Sequence, residues 1–212
     1  FKPLNWEDTL RIRVGNRLLL RILATGGNLA DKVLYKTGGA SIPEGLTVTR
    51  IPHFDERIDD FWTMVSNQYQ IMVVRNKNYL NWRYVSIPDV QYSIFVAEKD
   101  KQIYGYLVLR CVEYQGRKSG SVFDILTQSR PITHYLISRV LERCRQDGVV
   151  FISYDLIANK TYLKTLKSKG FISLPSRKGP RFCAYSSSPH IASEFLKDSQ
   201  NWLVQMGDSD AL

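Results

Sequence analysis

The fold is decided within residues 119–171, which open as Ser119-Gly-Ser-Val-Phe-Asp-Ile-Leu-Thr-Gln-Ser-Arg-Pro-Ile-Thr-His-Tyr-Leu136. Residues 122–126 predict a strand, because they are mostly apolar and β-prone. The polar turn 127–130 follows. Pro131 predicts the first residue of a helix, a position where its missing N–H removes no hydrogen bond.

The same stretch continues as a helix, a turn and a second strand. Gly148 ends the helix, and residues 149–154 predict an apolar strand that returns beside the first. In this arrangement a helix begins directly after a strand and a polar turn. The free backbone N–H groups and the positive end of the helix dipole then point at the turn, which makes it a favourable binding site for phosphate. Helical spacing is carried by Ile132, Leu136, Ile137, Val140 and Leu141.

This order of elements resembles the GNAT family, the Gcn5-related N-acetyltransferases. The family pattern at the turn is Gln/Arg-x-x-Gly-x-Gly/Ala. Gln128 matches its first position, whereas Pro131 and Thr133 stand where the small residues belong. The resemblance covers residues 46–187.

The second family signature is Asn-x-x-Ala, then a general-acid Tyr, then Gly-Phe. Asn159 and Gly170-Phe171 match it with the right spacing. Tyr162 stands at the Ala, and Leu166 stands where the family often has the Tyr. The chain therefore keeps the frame of the signature and departs from it at the proton donor.

The resemblance implies an α+β or α/β fold, with a mixed, mostly antiparallel sheet flanked by helices. Its extent, together with the linker-like stretches 37–41 and 43–45, divides the chain into a helical extension and linker (1–45), a GNAT-like domain (46–187), and a C-terminal helix with an extended tail (188–212). It also implies transfer of an acyl group, as in acetyl transfer, from acetyl-CoA or another acyl-CoA to an amine of a small molecule or peptide.

The resemblance places the co-substrate at the end of the first strand and at the turn after it. Backbone amides there would hold the pantetheine arm, the thioester carbonyl and the pyrophosphate. Pro131 donates no N–H, so one donor is missing, and the charge of Arg130 could compensate. The implied binding residues are Ile125, Leu126, Thr127, Gln128, Ser129, Arg130, Thr133 and Asn159.

Asp124 is the candidate general base. We expect it on the strand face that also carries Val122 and Leu126, where apolar neighbours would raise the pKa of a carboxyl group. The alternative is a structural salt bridge to a neighbouring strand, with Arg110 as the partner. Tyr162 is the candidate acid in place of Leu166, and packing is its alternative.

The stretch Asn78-Tyr-Leu-Asn-Trp-Arg-Tyr84 holds the candidate acceptor site. Tyr79, Trp82 and Arg83 can share one helical face, and a similar stretch recurs in some relatives of this fold. They would then wall an acceptor pocket. An aromatic helix that only packs is the alternative.

The flanking sequence predicts further elements. Residues 55–68 and 160–169 predict helices, and residues 91–98 and 102–111 predict a hairpin around Lys99-Asp100-Lys101. Gly105 predicts a close approach to a neighbouring strand. Residues 171–174 and 181–186 predict the last two strands.

Composition narrows the class of protein. The chain has 212 residues, 44% of them hydrophobic, and a net charge of +9, which favours anionic partners such as phosphorylated cofactors. No cluster of basic and aromatic residues points to nucleic acid, and no apolar run is long enough to cross a membrane. The three cysteines (Cys111, Cys144, Cys183) are odd in number, which favours a reducing compartment such as the cytoplasm.

No metal is expected, because the three histidines (His53, His134, His190) have no ligand spacing with the cysteines. Phe1 stands where an initiator Met would, which indicates a processed product or a piece of a longer protein. Residues 10–25 predict an amphipathic helix. We expect it to pack on this domain, a partner domain or a second copy, because Arg11 and Arg13 interrupt the face that a membrane anchor would need.

Two functions from different classes remain open. The first is an acyl-CoA-dependent N-acyltransferase, favoured by Gln128 and Asn159. The second is a non-catalytic domain of the same fold that binds or scaffolds beside an active domain, favoured by Pro131 and Leu166. A third, aminoacyl transfer, would need a surface for nucleic acid.

Overall fold

The computed structural model describes residues 1–5, 8, 44–114, 116–155, 161–173, 184–188 and 190–209. The helix that we predict at residues 10–25 lies outside these residues, as do Asn159 and Cys183. Those three expectations therefore stay predictions. Cys111 and Cys144 are free thiols.

Six strands of the described residues form one sheet. Their order across it is β1 (Lys2–Pro3), β7 (Val149–Tyr154), β6 (Arg117–Thr127), β5 (Gln102–Tyr114), β4 (Tyr92–Lys99) and β2 (Thr47–Ile51). Neighbouring strands are antiparallel except β6 and β7, which are parallel. A separate parallel pair joins β3 (Ile71–Met72) to β8 (Trp202–Leu203). The mixed, mostly antiparallel sheet that we predict is confirmed.

Helices cover both faces of this sheet. The helices of the described residues are α1 (Arg57–Val65), α2 (Lys77–Tyr84), α3 (Arg130–Gln146), α4 (Leu163–Ser168) and α5 (Ser193–Lys197). α5 has no buried residue and is not part of this cover. The apolar face of α1 lies over β5, with the Phe61 ring 6.2 Å from that of Tyr106. The apolar face of α3 is buried with Ile132, Leu136, Ile137, Val140 and Leu141, the residues whose spacing predicts the helix. Each such buried side chain contributes about 1.5–3 kcal/mol.

The β4–β5 hairpin turns where the sequence predicts. Asp100 and Lys101 have φ of 50° and 65°. Positive φ at both central residues is the type I′ geometry, whose twist matches that of the flanking strands. The close approach at Gly105 is also confirmed, because a Cβ there would lie 2.7 Å from the Thr127 methyl group.

A β-bulge in β6 changes which way its side chains face. Val108 pairs with Asp124, but Leu109 pairs with Val122, so Phe123 is an extra residue on β6. Asp124 therefore shares a face with Val108 and, two residues on, with Leu126. Our expectation that Val122 lies on that face is wrong, because the bulge moves it to the opposite face.

The two strands that we predict at the end of the domain are absent from the described residues there. Residues 171–173 and 184–186 are not strands, and residues 174–183 lie outside the description. The edge of β7 that a following strand would use is taken by the start of the chain. Leu4 and Asn5 both donate backbone N–H groups to the Val150 carbonyl, at 2.8 and 3.0 Å.

The described helices include none with the length and apolar character needed to cross a membrane. Within the same described ranges, His, Cys, Asp and Glu side chains form no group of three or more that could hold a metal ion.

Candidate functional site

An opening in the sheet lies between β6 and β7. The two strands pair from Lys118 and Val149 as far as Val122 and Tyr154, where β7 ends. β6 continues for five more residues, from Phe123 to Thr127. This part of β6 has β5 on one side and lacks β7 on the other, so the two strands separate beyond Val122 and Tyr154.

A narrow apolar pocket lies beside this opening, on the face of the sheet that α3 covers. Its wall includes Ile125 and Tyr154, the residues that border the opening on each strand. The remaining wall residues are apolar: Leu107, Val122, Ile137, Val140, Leu141, Ile152, Leu166 and Phe171. The apolar lining of this pocket would suit an uncharged group of a ligand better than a charged one.

The start of α3 lies at the outer end of β6. Ser129 is the N-cap in extended conformation, and Pro131 is the second helical residue, one position later than we predict. A helix leaves its first N–H groups without an intrahelical acceptor. Arg130 and Ile132 carry such groups here, whereas the Thr133 N–H already donates to the Ser129 carbonyl at 3.0 Å.

Two of the predicted binding residues use their polar groups inside the protein. The Gln128 N–H donates to the Tyr104 carbonyl at 2.9 Å. The Thr133 side chain is buried, with its hydroxyl 2.5 Å from the Thr127 hydroxyl. The Thr133 hydroxyl also donates to the Ser129 carbonyl at 3.1 Å, so it is used within the protein where β6 meets α3.

Positive charge surrounds the first turn of α3. Burial lowers the pKa of His134, and the nearby charges of Lys169 and Arg130 lower it further. Burial and the charge of Lys2 lower the pKa of Lys169. An anion placed here would be favoured by these charges and by the helix dipole.

Asp124 lies at the centre of a buried polar network on the other face of the sheet. Its carboxylate is fully buried and accepts hydrogen bonds from Arg75 Nε (3.2 Å), the Tyr84 hydroxyl (3.0 Å), the Tyr106 hydroxyl (3.1 Å) and Gln205 Nε2 (2.6 Å). Burial raises the pKa of Asp124, while Arg75 opposes the rise. An acceptor amine would have to replace one of these four donors to reach the carboxylate.

The salt bridge that we weigh as an alternative for Asp124 exists, but its partner differs from our expectation. Arg75 is the partner. Arg110 instead lies over the Phe123 ring, 6.0 Å from its centroid. The bulge explains the difference, because it turns Asp124 toward the face where Arg75 is buried.

The C-terminal tail, residues 202–209, completes this network. Asp208 accepts two hydrogen bonds from Arg75 Nη2, at 2.9 and 2.7 Å. Arg83 donates to the carbonyls of Gly207 and Ser209, both at 2.6 Å. A Cβ on Gly207 would lie 1.8 Å from the Tyr84 hydroxyl oxygen, so the tail packs this closely only because residue 207 is glycine.

Gln205 brings the tail into the opening itself. Its side-chain oxygen accepts from the Ile125 N–H at 2.9 Å, and its Nε2 donates to the Ile125 carbonyl at 2.9 Å. The Tyr154 hydroxyl donates to the same oxygen at 2.7 Å. Gln205 thus binds the β6 backbone at the point where β7 no longer does.

The remaining predicted residues are only partly brought together. Tyr162 is buried just before α4, 6.5 Å from the Tyr154 ring. Burial raises the pKa of Tyr162, with a further rise from Tyr69. On α2, Tyr79 packs on Trp82 at 5.8 Å, Trp82 is 63% exposed, and Arg83 is turned to the tail. The catalytic and acceptor-binding roles of these residues stay predictions.

Three residues of the network have no local signal in the sequence. Arg75, Gln205 and Asp208 are all far from Asp124 along the chain, and they match no motif. The tail is notable in the sequence only for Met206-Gly-Asp-Ser-Asp210, a pattern without an evident role there. Buried polar groups need partners, but the sequence does not say which residues supply them.

No family model and no curated protein sequence matches the chain. Solved structures do. An integron cassette protein from the mobile metagenome of V. cholerae superposes with a TM-score of 0.50 at 12% identity, over 66% of this chain and 93% of that one. An aminoglycoside acetyltransferase from an uncultured soil metagenomic sample, in complex with sisomicin, has a TM-score of 0.49 at 16% identity, over 68% and 100%.

A GNAT family acetyltransferase of Staphylococcus aureus is similar with a TM-score of 0.44 at 11% identity, over 65% of this chain and 99% of that one. Identities this low speak to the fold alone. The observed topology agrees with it: an antiparallel meander, then a parallel crossover through α3 to a strand that separates from its neighbour. The chain therefore has the mixed, mostly antiparallel sheet with flanking helices that the GNAT resemblance implies.

Proposed function

We propose that this chain is an acyl-CoA-dependent N-acyltransferase. The observation that carries the proposal is the separation of β6 from β7 beside the start of α3. It leaves a strand edge next to an apolar pocket, with a positively charged helix start at its outer end. A pantetheine arm is an amide chain that could pair with such an edge, and a pyrophosphate is the anion that a helix start favours.

The direction of the β6 backbone supports this placement. Ile125 turns its N–H and C=O away from β5, toward Gln205. Because backbone groups alternate along a strand, Thr127 turns its own the same way, whereas the Gln128 N–H turns to β5. Thr127 thus offers a donor and an acceptor between Ile125 and the helix start.

The reaction needs little covalent help from the protein. A neutral amine attacks the thioester carbonyl carbon, the C–S bond breaks, the amine loses a proton, and the thiolate gains one. Ile125 would align the carbonyl through its N–H. We propose Asp124 as the base and Tyr162 as the acid, with a small-molecule or peptide amine as the acceptor and the cytoplasm as the place of action.

A non-catalytic binding domain is the second candidate, and one observation favours it. The Gln205 side chain is hydrogen-bonded to the backbone N–H and C=O of Ile125. The Asp124 carboxylate already accepts hydrogen bonds from four donors. A domain that only binds a partner would keep such a network for stability. It would bind no acyl-CoA at the opening.

Thermal unfolding with acetyl-CoA separates the two. Binding stabilises the folded state by about 2.7 kcal/mol when the ligand is at a hundredfold excess over Kd, which is roughly 5–11 °C in Tm for a chain of this size. Adenosine controls for the nucleoside alone. A Tm that rises only with acetyl-CoA, followed by acetyl transfer to an amine in a panel, supports the enzyme. No change in Tm at millimolar acetyl-CoA refutes it.

A further inference from the structure

The side-chain amide of Gln205 satisfies the open edge of β6 as a neighbouring peptide group would. Its oxygen accepts from Ile125 N–H and the Tyr154 hydroxyl, and its nitrogen donates to the Ile125 carbonyl and the Asp124 carboxylate. An amide side chain has two donor hydrogens and two acceptor sites, so all four are used. Gln205 is only 1% exposed.

The backbone of the tail is anchored separately from this side chain. Arg83 holds the carbonyls of Gly207 and Ser209, and Arg75 holds the Asp208 carboxylate. Leu203 is buried beside its pairing with Met72. None of these contacts depends on the Gln205 side chain, which has three rotatable bonds. Its amide can therefore leave Ile125 while the tail stays in place.

We propose that Gln205 is a gate on the strand edge. Its side-chain amide occupies the backbone N–H and C=O of Ile125, and a ligand whose carbonyl accepts from the Ile125 N–H must first displace that amide. The structure shows the closed position. The inference rests on the proposed function in one respect, since the ligand that opens the gate is an acyl thioester.

A gate of this kind weakens binding by a predictable factor. When the competent state has a small population, the apparent affinity falls by that fraction. Minor conformations are commonly populated at about 0.1–10%. A variant that removes the amide but keeps its bulk should therefore bind acetyl-CoA at least about tenfold more tightly.

Gln205→Met is that variant, because methionine has a similar length and no amide. Gln146→Met is the matched control, since Gln146 is exposed at the end of α3, away from the opening. Acetyl-CoA affinity is measured for both and for the parent by calorimetry. We expect the tightening in Gln205→Met alone. Equal or weaker affinity in Gln205→Met than in the parent overturns the gate.

A second measurement uses the parent protein alone and so does not depend on whether a variant folds. The Gln205 side-chain NH₂ is followed by NMR while acetyl-CoA is added to the parent protein. The gate requires that resonance to move toward the position of a solvent-exposed amide at saturation. A resonance unchanged at saturation overturns the gate and leaves the proposed function intact. Absence of binding by every protein overturns the proposed function, and the gate with it.

Discussion

Gly207→Ala should strongly destabilise the folded protein, and it should cost less in a Tyr84→Phe background than in the parent. The added Cβ would lie 1.8 Å from the Tyr84 hydroxyl oxygen, 2.9 Å from Cζ and 3.2 Å from the Phe123 carbonyl oxygen. Either the tail or the Tyr84 ring must move. Movement of the ring breaks the 3.0 Å hydrogen bond from Tyr84 to Asp124.

The size of the effect follows from these two terms. Overpacking a buried site costs about 1–3 kcal/mol, and a lost hydrogen bond to a charged group costs about 1.5–3 kcal/mol. Together they give about 2.5–6 kcal/mol, a large share of the roughly 5–15 kcal/mol that stabilises a typical domain. In a Tyr84→Phe background the nearest ring atom is 2.9 Å away, so only the overpacking term of about 1–3 kcal/mol should remain.

Urea unfolding of the parent, the two single variants and the double variant measures this coupling. Gly148→Ala is the control: Gly148 has φ of +75° and no atom within 4 Å of an added Cβ. It should cost about 1–2 kcal/mol through backbone strain, in either background. If the costs of Gly207→Ala and Tyr84→Phe instead add within about 0.5 kcal/mol, the tail does not pack on Tyr84 in solution.

Four other changes have defined outcomes. Asp124→Asn should lower the unfolding free energy by about 1.5–3 kcal/mol, because Arg75 keeps Asp208 as its partner but loses a hydrogen bond to a charged carboxylate. It should also lower kcat/KM if Asp124 is the base; full activity with lower stability would leave Asp124 a structural charge only. Arg83→Met should lower Tm, because it removes two hydrogen bonds to the tail. Trp82→Ala, at an exposed residue, should change the unfolding free energy by about 0.5 kcal/mol or less. A larger loss of stability in Trp82→Ala than in Arg83→Met would contradict the contact between Arg83 and the tail. The pKa of His134 is lowered in the folded state, so below about pH 6.5 the unfolded state binds more protons than the folded state. The free energy of unfolding should therefore fall as the pH falls in this range. His134→Gln should flatten this part of the pH–stability curve, and an unchanged slope would show that His134 is not the group responsible. Pro131→Ala restores one N–H at the start of α3, so acetyl-CoA should bind about tenfold or more tightly; unchanged affinity would place the pyrophosphate elsewhere.

Periodicity in the sequence predicts the frame of the fold. The spacing of apolar residues after Pro131 predicts α3, and the β-rich run after Gly148 predicts β7. Both signals are local, because one element's buried face is decided by residues a few positions apart. The turn at Asp100 and Lys101 is local too.

The bulge and the buried network could not be predicted in this way. The bulge at Phe123 leaves no signal in the sequence of the strand. It nevertheless places Val122 on the face opposite to the one that simple alternation predicts. Arg75 meets Asp124 across 49 positions, and Gln205 meets it across 81. Such pairings depend on the packing of whole elements, which no local pattern encodes.

A crystal structure of the protein with bound acetyl-CoA tests the central claim most directly. We expect the pantetheine arm between β6 and β7, with its amides on the Thr127 backbone, the pyrophosphate at the Arg130 end of α3, and the thioester carbonyl on the Ile125 N–H in place of Gln205. Acetyl-CoA bound on another surface, or an opening still filled by Gln205 at saturating acetyl-CoA, would contradict the claim.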